Sequence, residues 1–485
     1  MAASFFFYDL ETSGFSARDA RIMQFAGQRT DVDLQPIGDP VNVFIKLTPD
    51  VLPDPDAVLL TGITPQQTLQ EGLTEAEFIK YFYETVVRPD TTFLGFNSVR
   101  FDDEFMRYLN YRNFHDAYEW QWRDNCSRWD ILDLVRMTRA LRPDGIAWPL
   151  SEAGKPTNRL ELLTKLNGLD HEHAHDALND VLATIAVARL IRTKQPDLFG
   201  YLLIHRHKKA VAELIDKGEP FVYSTGRYPS ETLHTSAVVL LVKHPQQDAG
   251  IVYDLRHDPT PYLVMTVDEL VALWQYNPDK TAPRLPVKTL KYNRCPAVAP
   301  LGVIKDPVTQ DRLQLDMAAV AKHATILRQH QAEFADKILQ AQVKLDTART
   351  TQQGVLQINR NNVDAQLYDG FFPAGDKDAM RAVREARPVA LTEVDTQLHD
   401  GRLKALLPLY KARNYPASLS SEERAEWDSF CAEKLFSGEH DSRLAKYFAR
   451  LDELKKEPTD TDDKAYLLEE LQLYGESIMP GDVAG

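Results

Sequence analysis

The most constraining feature of the sequence is an apolar, aromatic run near its start that ends in two acids. Residues 4–9 read SFFFYD, and Glu11 follows Asp9 by two positions. Such a run predicts a buried strand, and residues two apart on a strand project from the same face. Both carboxylates therefore point into one space, where a divalent cation would offset their repulsion. The alternative is a pair of solvated acids at a strand end, the commoner case for an isolated Asp-x-Glu.

Three different patterns of apolar residues succeed one another along the sequence. Its 485 residues are typical of about three domains. Further strand-like stretches are predicted near 21–30, 41–47 and 92–97, and helices at 74–87, 102–113, 130–141, 159–166 and 176–192. The first 195 residues therefore read as an α/β domain, with Pro196 as its boundary. The runs PFVYSTG, SAVVLLV and GIVYDL then predict a small β-rich domain. From about residue 312 the pattern is helical, and the polar stretch 351–362 reads as a linker.

Composition narrows the class of protein. The chain lacks an apolar run of membrane-spanning length, and its start lacks the features of a signal peptide, so a cytoplasmic protein is expected. Three cysteines lie far apart, which indicates neither a disulfide framework nor a zinc site. A net charge of −15 excludes coating of nucleic acid by bulk attraction. Any nucleic-acid site must therefore be a local groove.

One stretch has the composition of such a groove. From Arg100 to Arg142 there are eight arginines and no lysine, interleaved with tyrosines and tryptophans. Aromatic faces stack on bases and guanidinium groups grip phosphates. The alternative is an arginine-rich helical surface that is neutralised by the Asp and Glu residues within it.

A second acidic element, GFNSVRFDDEF, follows the strand-like TFLGFN and places Asp102 and Asp103 at a helix start. Asp is a preferred capping residue. One of the two acids is therefore expected to cap the helix, and the other to face the site formed by Asp9 and Glu11.

The third element is HAHDALNDVLATIAVARLI, in which Leu178, Leu182 and Ile185 predict a buried stripe with Asp180 beside it. A spacing of five does not align two residues on one helical face. His175 and Asp180 can therefore converge only if His175 lies in the loop that enters the helix. The alternative for His175 is a surface histidine among its histidine neighbours.

Together, Asp-x-Glu on a first strand, Asp at a strand-to-helix junction and His-x₄-Asp on a late helix resemble the DEDD-type exonucleases, in the variant with histidine. Within these the chain is similar to the bacterial exonuclease I family, from about residue 5 to about 470. The segments that carry the similarity are LPDPDAVLLTGITPQQ, NSVRFDDEF, YRNFHDAYEWQW, CSRWDILDL, ALRPDGIAWP, RLELLTKLNG, AHDALNDV and NVDAQLYDGFF. Ser13 is a departure, because the family commonly has an aromatic residue there.

The resemblance implies a fold and an activity. The fold is an α/β ribonuclease H-like nuclease domain (4–195), a β-rich Src-homology-3-like domain with trailing helices (197–350) and a helical C-terminal domain (356–475). The activity is processive 3′-to-5′ degradation of single-stranded DNA to 5′-mononucleotides, in DNA repair and recombination. The implied cofactor is Mg²⁺, two ions per active site, with Mn²⁺ able to substitute. The implied partners are single-stranded DNA and single-stranded DNA-binding protein, with no membrane contact and a monomeric enzyme.

The resemblance also implies site residues. Asp9, Glu11, Asp102 and Asp180 would hold the metal ions, and His175 would take the proton from the attacking water. Glu11 and Arg159 would meet the substrate end. The remaining DNA-binding residues would be Arg107, Tyr118, Trp122, Arg136, Lys208, Asn293, Tyr368 and Phe371. The alternative for Trp122 and Phe371 is a place in the core.

Two rival functions remain open at this stage. A proofreading or oligoribonucleotide exonuclease would use the same five residues, but it needs little beyond the first 195. A non-catalytic single-strand-binding scaffold would be expected to lack at least one metal ligand, and none is missing from the sequence.

Overall fold

The computed structural model describes residues 3–169, 176–279, 281–353, 361–457 and 462–479. A mixed sheet in the order β3-β2-β1-β4-β5 forms the centre of the N-terminal domain. Its strands are β1 (Ser4–Thr12), β2 (Ile22–Thr30), β3 (Val41–Phe44), β4 (Thr91–Gly95) and β5 (Ser127–Asp130). The strand β1 pairs antiparallel with β2 and parallel with β4. The acid-ending run is therefore the central strand of the sheet, as its buried aromatic residues require.

Helices cover this sheet: α1 (Pro55–Thr61), α2 (Pro65–Glu71), α3 (Glu75–Tyr81), α4 (Asp102–Arg112), α5 (Ile131–Leu141), α6 (Leu160–Leu166) and α7 (Ala177–Lys194). The predicted strands and helices of this region are confirmed within a few residues. The short strand β5 was not predicted, because Arg128 and Asp130 interrupt its apolar pattern. Leu182 was wrongly assigned to the buried stripe of α7: it is exposed, and the stripe runs instead through Val181, Ile185 and Ala188.

The middle domain contains an antiparallel sheet in the order β10-β6-β7-β8-β9. After α8 (Pro196–Ile204) and α9 (Lys208–Ile215) come β6 (Phe221–Ser224), β7 (Thr235–Lys243), β8 (Ala249–Asp254), β9 (Val287–Lys291) and β10 (Ala297–Pro300). Between β8 and β9 lie α10 (Thr260–Leu263) and α11 (Val267–Trp274), and α12 (Pro307–Leu313) and α13 (Met317–Gln353) follow the sheet. The three predicted β-rich runs are thus strands. Helix α13 includes residues 351–353 of the expected linker, and 354–360 lie outside the described residues.

The C-terminal domain is helical, with α14 (Asp376–Glu385), α15 (Leu391–Val394), α16 (Gly401–Asn414), α17 (Ser421–Phe436), α18 (Arg443–Lys456) and α19 (Asp462–Ser477). Its contact with the N-terminal domain is partly apolar: Tyr108, Tyr111 and Phe114 of the N-terminal domain share a core cluster with Leu406 and Tyr410. The hydroxyl of Tyr111 also donates to the Val363 carbonyl at 3.0 Å.

A buried ionic network fastens the same two domains. Asp364 of the C-terminal domain accepts from Arg21 at 2.7 Å and from Arg413 at 2.6 Å, and Arg413 also donates to Asp50 at 2.7 Å. The remaining members of the network are Glu75, Arg112 and Lys434. Because these charges are removed from water, each depends on its partners for compensation.

Cys126, Cys295 and Cys431 are free thiols, as predicted. Within the part of the chain that the structure describes, none of the helices combines the length and apolar character needed to cross a membrane.

Candidate active site

Three carboxylates converge where β1 and α7 meet. Asp9 and Glu11 project from β1, and Asp180 lies in the first turn of α7, which packs across that strand. One ligand oxygen from each of the three lies within 4.8 Å of the others. Oxygen-only ligands at this spacing suit a hard divalent cation better than zinc, which favours nitrogen and sulfur.

Asp102 lies at the edge of this group. It is the first residue of α4, and its side chain is buried. Burial raises its pKa to about 8, and the backbone N–H groups of Asp102 itself and Leu10 oppose that rise. The negative charge of Asp102 in turn helps to raise the pKa of Asp9 and of Glu11. Asp102 therefore belongs to the same electrostatic site, although it is outside the set of three within 4.8 Å.

The electrostatics of the site call for a counter-ion. Burial, followed by the charges of Asp180 and Asp102, raises the pKa of Glu11 to about 9. Burial and four neighbouring acids also raise the pKa of Asp9 well above its ordinary value. Near neutral pH these groups ionise fully only when positive charge is supplied, and a bound divalent cation supplies it.

His175 lies outside the described residues. Helix α7 begins at Ala177, and Asp176 is its N-cap, with a carboxylate that accepts from the Asn179 N–H at 3.0 Å. The charge of Asp176 contributes to the raised pKa of both Asp9 and Glu11. Asp176 is thus a fifth acid near the site, which sequence reasoning missed because it reads as an ordinary capping residue.

The expectation that one of the two acids, Asp102 or Asp103, caps α4 is wrong. The N-cap position is occupied by Phe101, which offers no side-chain acceptor. The buried carboxylate of Asp103 instead accepts from the Tyr8 hydroxyl at 2.5 Å and forms an ion pair with Arg128. Arg128 also donates to the Asn293 carbonyl at 2.8 Å, so Asp103 helps to tie the middle domain to the N-terminal domain.

A central groove of about 1020 Å³ lies between the three domains. Six residues of the predicted DNA path line it: Arg107, Tyr118, Trp122, Lys208, Asn293 and Tyr368. Trp122 is 61% exposed, which excludes the alternative that it is a core residue.

The other predicted binding residues lie elsewhere. Arg136 and Arg159 line a second cavity, of about 550 Å³, whose wall also contains Asp9 and Asp180. They are thus placed beside the carboxylates rather than along the groove. Phe371 is 99% exposed, so it is not a core residue, and it is absent from the lining of both cavities.

Sequence reasoning missed several residues of the central groove. Phe15, on the loop between β1 and β2, is 69% exposed and lines the groove. Ser13 points elsewhere: it is buried, and its hydroxyl accepts from the Arg21 N–H at 2.9 Å. Phe15 therefore supplies an aromatic face on this loop that Ser13 cannot. The other missed lining residues with basic side chains are Arg18, Lys291 and Arg294, while Arg100 and Arg128 belong to the arginine-rich stretch.

Both interpretations of the arginine-rich stretch hold in part. Arg100 pairs with Asp133 at 2.6 Å, Arg107 with Glu104 at 2.7 Å and Arg136 with Asp133 at 2.6 Å. These arginines are neutralised by acids, as the alternative predicted. Arg100 and Arg107 nevertheless line the groove, so the ion pairs also orient guanidinium groups along it.

Comparison with known proteins covers the whole chain. The exonuclease family model matches residues 6–188, the exonuclease I SH3-like domain matches 206–342 and the exonuclease I C-terminal domain matches 361–478. Exodeoxyribonuclease I of Escherichia coli K12 is 38% identical over 482 residues, which cover 98% of each chain.

Comparison with solved structures leads to the same family. The crystal structure of E. coli exonuclease I in complex with a dA16 oligonucleotide has a TM-score of 0.90 at 38% identity, over 98% of this chain and 100% of that one. SSB/Exonuclease I in complex with the inhibitor CFAM has a TM-score of 0.88 at 36% identity, over 99% and 100%. A zinc-bound form of the E. coli ExoI–ssDNA complex has a TM-score of 0.90 at 37% identity, over 99% and 100%. With three family models matched in order along the sequence and 38% identity to a curated relative over 98% of each chain, the chain belongs to the exonuclease I family.

Proposed function

We propose that this chain is an exodeoxyribonuclease that hydrolyses single-stranded DNA from its 3′ end and releases 5′-mononucleotides. The observation that carries the proposal is the convergence of Asp9, Glu11 and Asp180 at a cavity whose wall also contains Arg136 and Arg159. The central groove of the same chain is lined by arginines and aromatic residues. Full-length similarity to exodeoxyribonuclease I supports it. The proposal extends to a processive, monomeric enzyme of the cytoplasm that acts in DNA repair and recombination.

The metal in the proposal is Mg²⁺, two ions per active site, with Mn²⁺ able to substitute. Asp9, Glu11 and Asp180 would hold it, and Asp102 would complete the ligand set from the start of α4. A bound Mg²⁺ supplies a Lewis acid for the phosphodiester and lowers the pKa of a bound water. The raised pKa values of the metal-free site support a cation at this position.

The protein's own groups have separate tasks. His175 is assigned as general base, because an imidazole titrates near neutral pH. Arg159, 67% exposed at the N-cap of α6, shares its cavity with Asp9 and Asp180, so its guanidinium can reach a phosphate held there. Glu11 would meet the terminal nucleotide as well as the metal, since its carboxylate faces the same space.

The groove supplies affinity without sequence preference. Exposed rings such as Trp122 can stack on any base, at about 1–3 kcal/mol per base. Lys208, Asn293 and Arg107 offer phosphate contacts that do not read bases. Arg136 would contact the strand beside the carboxylates, and Tyr368 and the solvent-exposed Phe371 would contact it from the C-terminal domain.

The domain limits in the proposal are 4–195 for the nuclease domain, 197–350 for the Src-homology-3-like domain with its trailing helices and 356–475 for the C-terminal domain. Single-stranded DNA-binding protein is the proposed protein partner, supported by the SSB/Exonuclease I structure. A proofreading or oligoribonucleotide exonuclease is the less favoured reading, because the matches to the exonuclease I SH3-like and C-terminal domains extend far beyond the nuclease domain. A non-catalytic scaffold would not need the three converging carboxylates.

Digestion of 3′-labelled single-stranded DNA, duplex DNA and RNA, each with Mg²⁺ or with EDTA, tests the proposal. We expect Mg²⁺-dependent release of labelled mononucleotide from single-stranded DNA. Preference for RNA or duplex DNA would contradict the substrate assignment. No Mg²⁺-dependent release from any substrate would favour the scaffold.

A further inference from the structure

Glu104 places a negative charge inside the groove. It lies on α4, two residues after Asp102, and lines the groove among arginines and aromatic side chains. Its Oε1 accepts from Arg107 Nη1 at 2.7 Å and from Arg294 Nη2 at 3.0 Å. Its Oε2 accepts from the Tyr368 hydroxyl. One carboxylate therefore joins side chains from all three domains across the groove.

The side chains around Glu104 are held as they would be around a phosphate. Arg107 is almost fully buried, donates also to Gln121 Oε1 at 3.2 Å, and lies over the Tyr118 ring with 5.4 Å between its guanidinium carbon and the ring centroid. Guanidinium groups recognise carboxylate and phosphate oxygens with similar geometry. The Glu104 carboxylate thus occupies a site whose donors also suit a phosphodiester.

We propose that Glu104 is a phosphate surrogate: in the DNA-free protein it holds Arg107, Arg294 and Tyr368 together across the groove, and a phosphodiester of the bound strand displaces it. The inference rests on the proposed function, since it requires single-stranded DNA in the groove. Glu104 is a positioning residue in this scheme, because it acts through the side chains that it orients.

If DNA displaces Glu104, removal of its charge should change DNA affinity in a predictable direction. A carboxylate and a phosphate cannot share the same donors without repulsion, so binding must break the contacts of Glu104 with Arg107 and Arg294. Glu104→Gln keeps the shape of the side chain but removes its charge. The two arginines then lose the charge of Glu104, although Arg107 Nη2 still lies 3.9 Å from Asp103 Oδ2. More net positive charge therefore faces the phosphate, and DNA binding becomes tighter and more dependent on salt.

The experiment is fluorescence anisotropy of a 5′-labelled oligo(dT) in EDTA over a series of salt concentrations. For Glu104→Gln we expect Kd to fall by about threefold to tenfold at low salt, the scale of one exchanged charge-assisted contact. The slope of log K against log salt should steepen by about 0.7, the value for one additional phosphate contact on a single strand.

Glu119→Gln is the matched control. Glu119 pairs with Arg123 at 2.7 Å and is absent from the lining of the groove, so its substitution removes one negative charge nearby without touching the three-domain contact. Its Kd should stay close to that of the wild type. In an Arg294→Gln background, Glu104→Gln should tighten binding less than in the wild type, because one of the released donors is gone.

The outcomes distinguish failure of the surrogate role of Glu104 from failure of the proposed nuclease function. Weaker or unchanged binding by Glu104→Gln, or equal tightening by Glu119→Gln, would overturn the surrogate role while leaving the nuclease function intact. An equal effect of Glu104→Gln with and without Arg294 would overturn the shared contact. Failure of the wild-type protein to bind oligo(dT) would instead contradict the proposed function.

Discussion

Replacement of one acid in the buried ionic network should destabilise the C-terminal domain. Asp364 accepts from Arg21 at 2.7 Å and from Arg413 at 2.6 Å. Burial opposes its ionisation, but Arg413, Arg21 and Lys434 outweigh burial and hold its pKa below the ordinary value. Asp364→Asn preserves the volume of the side chain and leaves these three buried cations with less compensation.

The size of the expected loss of stability follows from the burial of these ion pairs. Breaking a buried ion pair from one side costs about 3–5 kcal/mol. For a domain of this size that corresponds to a fall in Tm on the order of 10 °C. Differential scanning calorimetry at neutral pH measures this fall in Tm. The C-terminal domain should unfold at a lower temperature than in the wild type.

The pH dependence gives a second check. Because the folded-state pKa of Asp364 is lowered, its contribution to stability is present above about pH 4 and is lost as the pH falls through the folded pKa. The difference in Tm between wild type and Asp364→Asn should therefore shrink in acid.

The control is Asp268→Asn, which breaks an exposed pair with Lys344 at 2.6 Å and should leave Tm near the wild-type value. A Tm of Asp364→Asn within the scatter of that control would refute the view that the network fastens the two domains.

Three further predictions concern the site. Phe15→Ala should weaken oligo(dT) binding by about 5- to 150-fold, which is the contribution of one stacked base. Phe15→Trp should bind like the wild type. Equal losses of affinity in both variants would mean that the ring does not stack on a base. His175→Ala should slow turnover by about 10²- to 10⁴-fold and alter the pH-rate profile, and an unchanged profile would remove His175 from the role of general base. Because the folded-state pKa is raised to about 9 at Glu11 and to about 8 at Asp102, the metal-free protein should lose stability as pH rises from the ordinary carboxyl range through those values. The gain in Tm on adding Mg²⁺ should therefore be larger in mildly alkaline than in mildly acidic buffer, and a gain independent of pH would contradict the coupling.

Local patterns located the acidic residues only when they were taken together as a family signature. Asp9 and Glu11 end an aromatic run that predicted a buried strand, so their shared face followed from the period of two. The helical pattern predicted the helix that carries Asp180, although Leu182 was assigned to the wrong face, and the role of Asp180 came from the family resemblance. The helical pattern expected from about residue 312 is likewise confirmed by helices α12 to α19.

Contacts between distant segments could not be predicted in this way. Glu104 and Arg294 are 190 positions apart, and nothing in either local sequence indicates that they meet. Asp103 resembled a capping residue because it stands at a helix start, whereas its partners Tyr8 and Arg128 lie on β1 and β5, far away in sequence. Phe15 follows a buried Ser13, and only the course of the loop turns its ring into the groove.

The proposed function requires Asp9, Glu11 and Asp180 to act as one metal site that drives cleavage of single-stranded DNA. The most direct measurement is Asp180→Ala, assayed for Mg²⁺-dependent release of nucleotide from 3′-labelled single-stranded DNA and, in EDTA, for oligo(dT) binding. We predict that cleavage is abolished while Kd stays near the wild-type value, because a ligand is lost and the groove is not. Retained cleavage would contradict the metal site as described.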